Sequence, residues 1–69
     1  MKLAKKIKMA MIEQDVTQVE LARRTGQNQA NLSYKINADN FRINELEELM
    51  KAIECEIEVN IILPDGRKI

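Results

Sequence analysis

Leu3, Ile7, Ala10 and Met11 recur at i, i+4, i+7 and i+8, which predicts a helix over about residues 2–14. Met9 and Ile12 fall on its other side and imply a second apolar contact. Thr17 followed by Glu20 has the spacing of a capping box, so a second helix is expected from Gln18 to about Thr25. Gly26 ends it, because a left-handed residue is needed there and glycine adopts that conformation without strain. A third helix is expected over about Asn28 to Ile36, followed by a polar, turn-like Asn37-Ala38-Asp39-Asn40. Ile43, Leu46, Leu49, Met50 and Ile53 restore the helical period and predict a fourth helix over about 43–54, with Glu47 and Lys51 as an i,i+4 pair on its outer side. After Cys55 the period drops to two. Ile57, Val59, Ile61 and Leu63 alternate with Glu56, Glu58, Asn60 and Ile62, which predicts a strand over 56–63. Leu63-Pro64-Asp65-Gly66 suits a type I turn and leaves three residues for a return strand. The fold class is mainly α, with four helices and a C-terminal strand or short hairpin.

A chain of 69 residues allows one domain, so residues 1–54 and 55–69 are read as parts of a single unit. Only about 60% of the unfolded surface of so short a chain can be buried, which favours association with a second copy. No apolar run approaches the ~20 residues of a membrane span. Lysines interrupt the apolar positions near the start, so no signal-peptide core is expected. The single cysteine, Cys55, cannot form an internal disulfide, and the chain reads as cytoplasmic. Cys55 is expected to be a small, partly buried apolar residue, and Phe41, the only phenylalanine, a plug holding its loop to the core. There is no histidine, which removes the commonest general base and metal ligand.

The formal net charge of zero conceals an asymmetry. Residues 1–42 carry eight basic and four acidic side chains, a net +4; residues 43–69 carry three basic and seven acidic, a net −4. Local potential, not the total, steers a charged partner.

The basic segment contains the most informative stretch, Thr17-Gln18-Val19-Glu20-Leu21-Ala22-Arg23-Arg24-Thr25-Gly26 and the helix after it. Ala22 is small enough for two helices to cross closely, Gly26 makes the turn, and Leu21 and Leu32 are placed to clamp the helices together. At about 100° per residue, Leu32 and Ile36 define the buried arc of the third helix. The opposite direction holds Tyr34, with Ala30, Asn37 and Ser33 beside it, while Gln29 and Asn31 flank the arc near the N-terminal end.

This stretch resembles the lambda-repressor-like (XRE, or Cro/cI-type) helix-turn-helix family, whose Thr-Gln-x-x-Leu-Ala-x-x-x-Gly pattern it matches residue for residue. The resemblance covers about residues 3–54 and extends through Asn31-Leu32-Ser33-x-Lys35 and Asp39-Asn40-Phe41. It implies a domain that binds operator DNA as a dimer with helix 28–36 in the major groove. The family commonly has an apolar residue where Lys35 stands, a glutamate at Ile36 and a glycine at Ala38, so the core contact is expected to have moved to Ile36. The implied DNA-binding residues are Gln18, Asn28, Gln29, Ala30, Asn31, Ser33, Tyr34, Lys35, Asn40 and Arg42. Gln18 suits a phosphate beside free helix N–H groups. Gln29 can pair bidentately with adenine, Ala30 can pack on a thymine methyl, and Asn31, Ser33 and Tyr34 can reach base edges or phosphates. Lys35, Asn40 and Arg42 suit phosphates around the helix end and the following loop.

A two-stranded ribbon is unstable alone and leaves an open edge. The strand is therefore expected to pair across a two-fold axis with its counterpart in a second chain through Ile57, Val59, Ile61 and Leu63, whose odd-numbered face would cover the helical cores. The alternative is a hairpin packed on its own helices. The leading function is a sequence-specific double-stranded DNA-binding regulator, a repressor acting as a homodimer. The alternative is an antitoxin whose acidic half docks a basic toxin and which also binds its own operator. Without histidine, a phosphate loop or metal-ligand spacing, no enzyme, metal site or cofactor is expected.

Overall fold

The computed structural model describes residues 3–69. It contains four helices: α1 (Ala4–Glu13), α2 (Gln18–Thr25), α3 (Gln29–Ala38) and α4 (Ile43–Ala52). All buried residues described are apolar: Ile7 and Met11 from α1, Val16 after it, Leu21 and Ala22 from α2, Leu32 and Ile36 from α3, Leu46, Leu49 and Met50 from α4, and Ile53. Leu21, Leu32 and Ile36 have no solvent exposure. The clamp between α2 and α3 is thus in place, with Ala22 buried at the crossing. α2 also packs on α4, and α1 packs on α3. Phe41 and Cys55 are partly buried against this core, as their patterns predicted.

The helix ends explain why the elements stop where they do. The Glu20 N–H donates to Thr17 Oγ1 at 3.2 Å, so Thr17 caps α2. The reciprocal half of the predicted capping box is replaced: the Glu20 carboxylate turns to Arg23 and Arg24 instead. Gly26 sits at φ 67° and ends α2. Asp15 at φ 55° and Glu54 at φ 61° do the same after α1 and α4. At each of the three ends the next N–H reaches back to the helix, from Val16 to Met11 at 2.9 Å, Gln27 to Ala22 at 2.9 Å and Cys55 to Met50 at 2.8 Å. These are Schellman closures, and the first joins two buried apolar residues. The last carbonyls of α4 are taken from outside: Arg24 Nη1 donates to Ala52 O at 3.0 Å and Gln14 Nε2 to Ile53 O at 2.9 Å.

Four expectations need correction. α3 runs to Ala38, so Asn37 and Ala38 are helical and not part of a turn. Asp39, left-handed at φ 54°, ends that helix and receives the Leu3 and Ala4 N–H groups on its carboxylate. Ile43 is 46% exposed, because it lies in the first turn of α4 at the rim of a groove that no other element fills. Met9 and Ile12 are exposed, so the second apolar contact expected of α1 is not made within the chain. Glu47 and Lys51 are not among the ion pairs of the described residues.

The C-terminal segment forms only the tip of a hairpin. Ile61 and Ile69 exchange backbone hydrogen bonds at 2.8 and 2.9 Å, Leu63 N–H reaches Arg67 O at 2.8 Å, and Ile62 bridges Lys68 in antiparallel sense. Residues 56–60 enter no backbone–backbone hydrogen bond among the described residues. Of the odd-numbered apolar face, Ile57 packs on the core, but Val59 and Ile61 remain 59% and 61% exposed. That face therefore does not cover its own helices, as packing of the whole hairpin within the chain would require. No described helix is long and apolar enough to cross a membrane.

Candidate nucleic-acid interface

Burial of Leu32 and Ile36 fixes the rotation of α3 about its axis, and the shift of the core contact to Ile36 holds. The outward residues are then Ala30, Asn31, Tyr34, Asn37 and Ala38, all exposed, with Ser33 half-buried beside them; Gln29, on the same stripe as Ile36, is exposed because it opens the first turn. Tyr34 is 75% exposed and stands away from the core edge. The approach to this face is rigid. Thr25 Oγ1 donates to Leu21 O at 2.9 Å and accepts from Gln27 Nε2 at 3.2 Å, which braces the turn around Gly26.

Asn28 has a structural task. Its Oδ1 accepts the N–H groups of Ala30 at 2.8 Å and Asn31 at 3.4 Å and so caps α3. The acceptor is engaged, which leaves its amide N–H₂ as the group that can face a ligand. Gln18, half-buried, occupies the first helical position of α2. Its side chain therefore lies beside first-turn N–H groups that have no intrahelical partner.

The cations are arranged less simply than their positions in the sequence suggest. Lys35 Nζ lies 3.1 Å from Glu45 Oε2 and bridges α3 to α4. That hydrogen bond, with a second from the Arg42 backbone N–H, holds the Glu45 carboxyl below the usual carboxylate range. Glu20 is held from 4.5 down to about 2, first by its hydrogen bond from Arg23 and then by that from Arg24. The same contact raises Arg23. Every cation within α2 and α3 thus has a carboxylate partner. Asn40 and Arg42 are exposed in the loop that leads into α4.

Asn37 has the outward angular position that the helical period assigns it, and the extension of α3 to Ala38 makes it part of that face, where its Oδ1 accepts from Lys8 Nζ of α1 at 3.4 Å. That position matches Ala30 and Tyr34 once the helix continues past Ile36. Among the described residues no group of acidic, cysteine or histidine side chains could hold a metal ion.

The result is a short helix standing out from a stiff frame and presenting amide, hydroxyl and phenol groups. Such groups match the donors and acceptors on base edges. Residues 6–58 match the model of the Cro/C1-type helix-turn-helix DNA-binding domain. No curated protein matches the chain.

Proposed function

We propose that this chain, which belongs to the Cro/C1-type helix-turn-helix DNA-binding family, is a cytoplasmic, sequence-specific regulator of transcription that represses by binding duplex DNA as a homodimer. The observation that carries the reading is the rotation of α3. With Leu32 and Ile36 fully buried, Ala30, Asn31 and Tyr34 stand exposed on the outward side, and Gln29 is exposed at the first turn. In this reading Gln29 and Ala30 read bases, while Asn31, Ser33 and Tyr34 reach bases or nearby phosphates. Gln18, the Asn28 amide, Asn40 and Arg42 hold the backbone, and Lys35 contributes through its bridge to Glu45.

Dimerisation is assigned to Ile57, Val59, Ile61 and Leu63. Support comes from the unpaired backbone of residues 56–60 and from the exposed Val59 and Ile61. In this reading residues 55–69 belong to the same folding unit as 1–54, which the packing of Cys55 and Ile57 on the helical core supports. Two copies joined this way would present two α3 helices to half-sites one helical turn, or a multiple of it, apart.

The test is selection of bound duplexes from a random pool, with sedimentation of the protein in parallel. A two-fold symmetric site and a dimer are expected. A monomer that selects no symmetric sequence overturns the proposal. Val59→Lys with Ile61→Lys should yield a folded monomer, since both side chains are solvent-facing in the single chain.

A second reading, an antitoxin that docks a basic toxin, draws on the groove where Glu47, Glu48 and Glu56 stand beside Ile57 and Val59, with Lys51 as its one cation. Co-purification with a basic partner that displaces no DNA would favour it.

A further inference from the structure

We infer that Lys8 of α1 is a DNA phosphate contact, which extends the interface onto a helix outside the helix-turn-helix; the inference rests on the DNA-binding reading above. Three observations carry it. First, the cations within α2 and α3 are already matched. Arg23 and Arg24 lie on Glu20, and Lys35 lies on Glu45. In the basic half of the chain the described cations without an ion pair are Lys5, Lys6 and Lys8 on α1, and Arg42. These can meet a phosphate without giving up a carboxylate partner.

Second, Lys8 is the lysine that α1 delivers to the interface. Its Nζ is 3.4 Å from Asn37 Oδ1, on the outward side of α3, and both residues are exposed. Lys6, two residues earlier and about 200° around the helix, lines the opposite groove with Ile43, Glu56 and Glu58. Third, the placement is fixed. Asp39 at the end of α3 accepts the Leu3 and Ala4 N–H groups at 2.7 and 3.1 Å, so the first turn of α1 is tied to the last turn of α3.

The length of α3 says what Lys8 meets. Ten residues span about 15 Å, whereas the major groove is about 12 Å wide. With Gln29 and Ala30 on the bases, the Asn37 end lies at the lip of the groove, where the sugar–phosphate backbone runs. A lysine there bonds a phosphate oxygen as a compact point charge and carries no base preference. The bond to Asn37 pre-orients the side chain and restricts its freedom before DNA arrives.

The test compares Lys8→Gln, Lys6→Gln and Asn37→Asp with the wild-type chain, measuring affinity for specific and random duplexes over a salt series. Both lysine variants remove one charge from the same helix, and both side chains are exposed, so neither change disturbs the core. K8Q is expected to make the slope of log K against log salt shallower by about 0.9, the loss of one phosphate. Its deficit should therefore shrink about threefold between ~50 and ~200 mM salt, equally for both duplexes. K6Q should keep the wild-type slope. N37D should weaken binding as K8Q does, since it puts a carboxylate against Lys8 at the groove edge. Equal slopes for K8Q and K6Q overturn the inference while leaving the DNA-binding reading intact. A wild-type chain that binds no duplex overturns both.

Discussion

Asp39 Oδ1 lies 2.7 Å from the Leu3 backbone nitrogen and 3.1 Å from that of Ala4, so the residue that ends α3 also closes the start of α1. Helix starts leave N–H groups without intrahelical partners, and here a residue 36 positions away satisfies two of them. Asp39 does this from the left-handed region, φ 54°. Asp39→Ala removes the acceptor and places an unsuited residue at positive φ. A loss of about 2 kcal/mol is expected in urea unfolding, about half from the cap and half from the backbone. Asp39→Asn keeps an oxygen acceptor and tolerates the conformation, so it should lose much less.

The carboxylate of Glu20 gives the chain an acid-sensitive contact. Its pKa in the folded chain falls from 4.5 to about 2 through hydrogen bonds from Arg23 and Arg24. A lowered folded value means that the stabilisation is complete above about 4.5 and is lost as pH falls towards 2. Glu20→Gln should flatten the part of the acid-unfolding curve that lies in this window. The effect should weaken in high salt, because the three side chains are solvent-accessible.

Three Schellman closures use Asp15, Gly26 and Glu54, and only one of these is glycine. A Cβ at Gly26 would meet nothing within 4 Å, so Gly26→Ala should cost only backbone strain, about 1 kcal/mol, and Gly26→Asn less. Glu54→Gly removes the same strain and should stabilise by about 0.5 kcal/mol, since glycine also loses more freedom on folding. Thermal or urea unfolding of the three variants checks the signs. A destabilised Glu54→Gly would mean that its side chain makes a contact worth more than the strain.

The roles proposed for Gln29 and Gln18, reading a base and holding the backbone, predict different mutational profiles. Gln29→Ala should cost about 1–3 kcal/mol at its preferred base step in each half-site and relax the preference there. Gln18→Ala should weaken all duplexes about equally. Binding profiles over a library of single-base operator variants distinguish the two, and identical profiles would refute the division of roles.

The helices were legible because their signals are local. Thr17 caps the helix that follows it, Gly26 stands where a left-handed residue is required, and the spacing of Leu32 and Ile36 set the rotation of α3. The errors lie where the deciding contact is distant in sequence. Asn37 and Ala38 read as a turn from their polarity. They are helical because Asp39 supplies the left-handed stop and is held there by α1. The partner of Lys35 is equally unreadable, since Glu45 lies on another helix and periodicity along α3 carries no trace of it. No strand forms over 56–63 among the described residues; Ile62 alone bridges Lys68, flanked by the hydrogen bonds of Ile61 and Leu63, where the turn brings a partner within reach. The alternation of Ile57 and Val59 announces a pleated face but does not say which surface will meet it.

The pairing of Arg23, Arg24 and Lys35 with carboxylates has a consequence for how such a protein searches a genome. Bulk DNA competes for a regulator in proportion to its sequence-blind affinity, and that affinity grows with each unneutralised cation. A domain that occupies its own arginines stays briefly on random sequence and leaves more of its molecules free. Each encounter is weaker and hopping is more frequent. For the dimer proposed above, the time spent on a specific site would then depend chiefly on the fit of α3 and on two half-sites being engaged together.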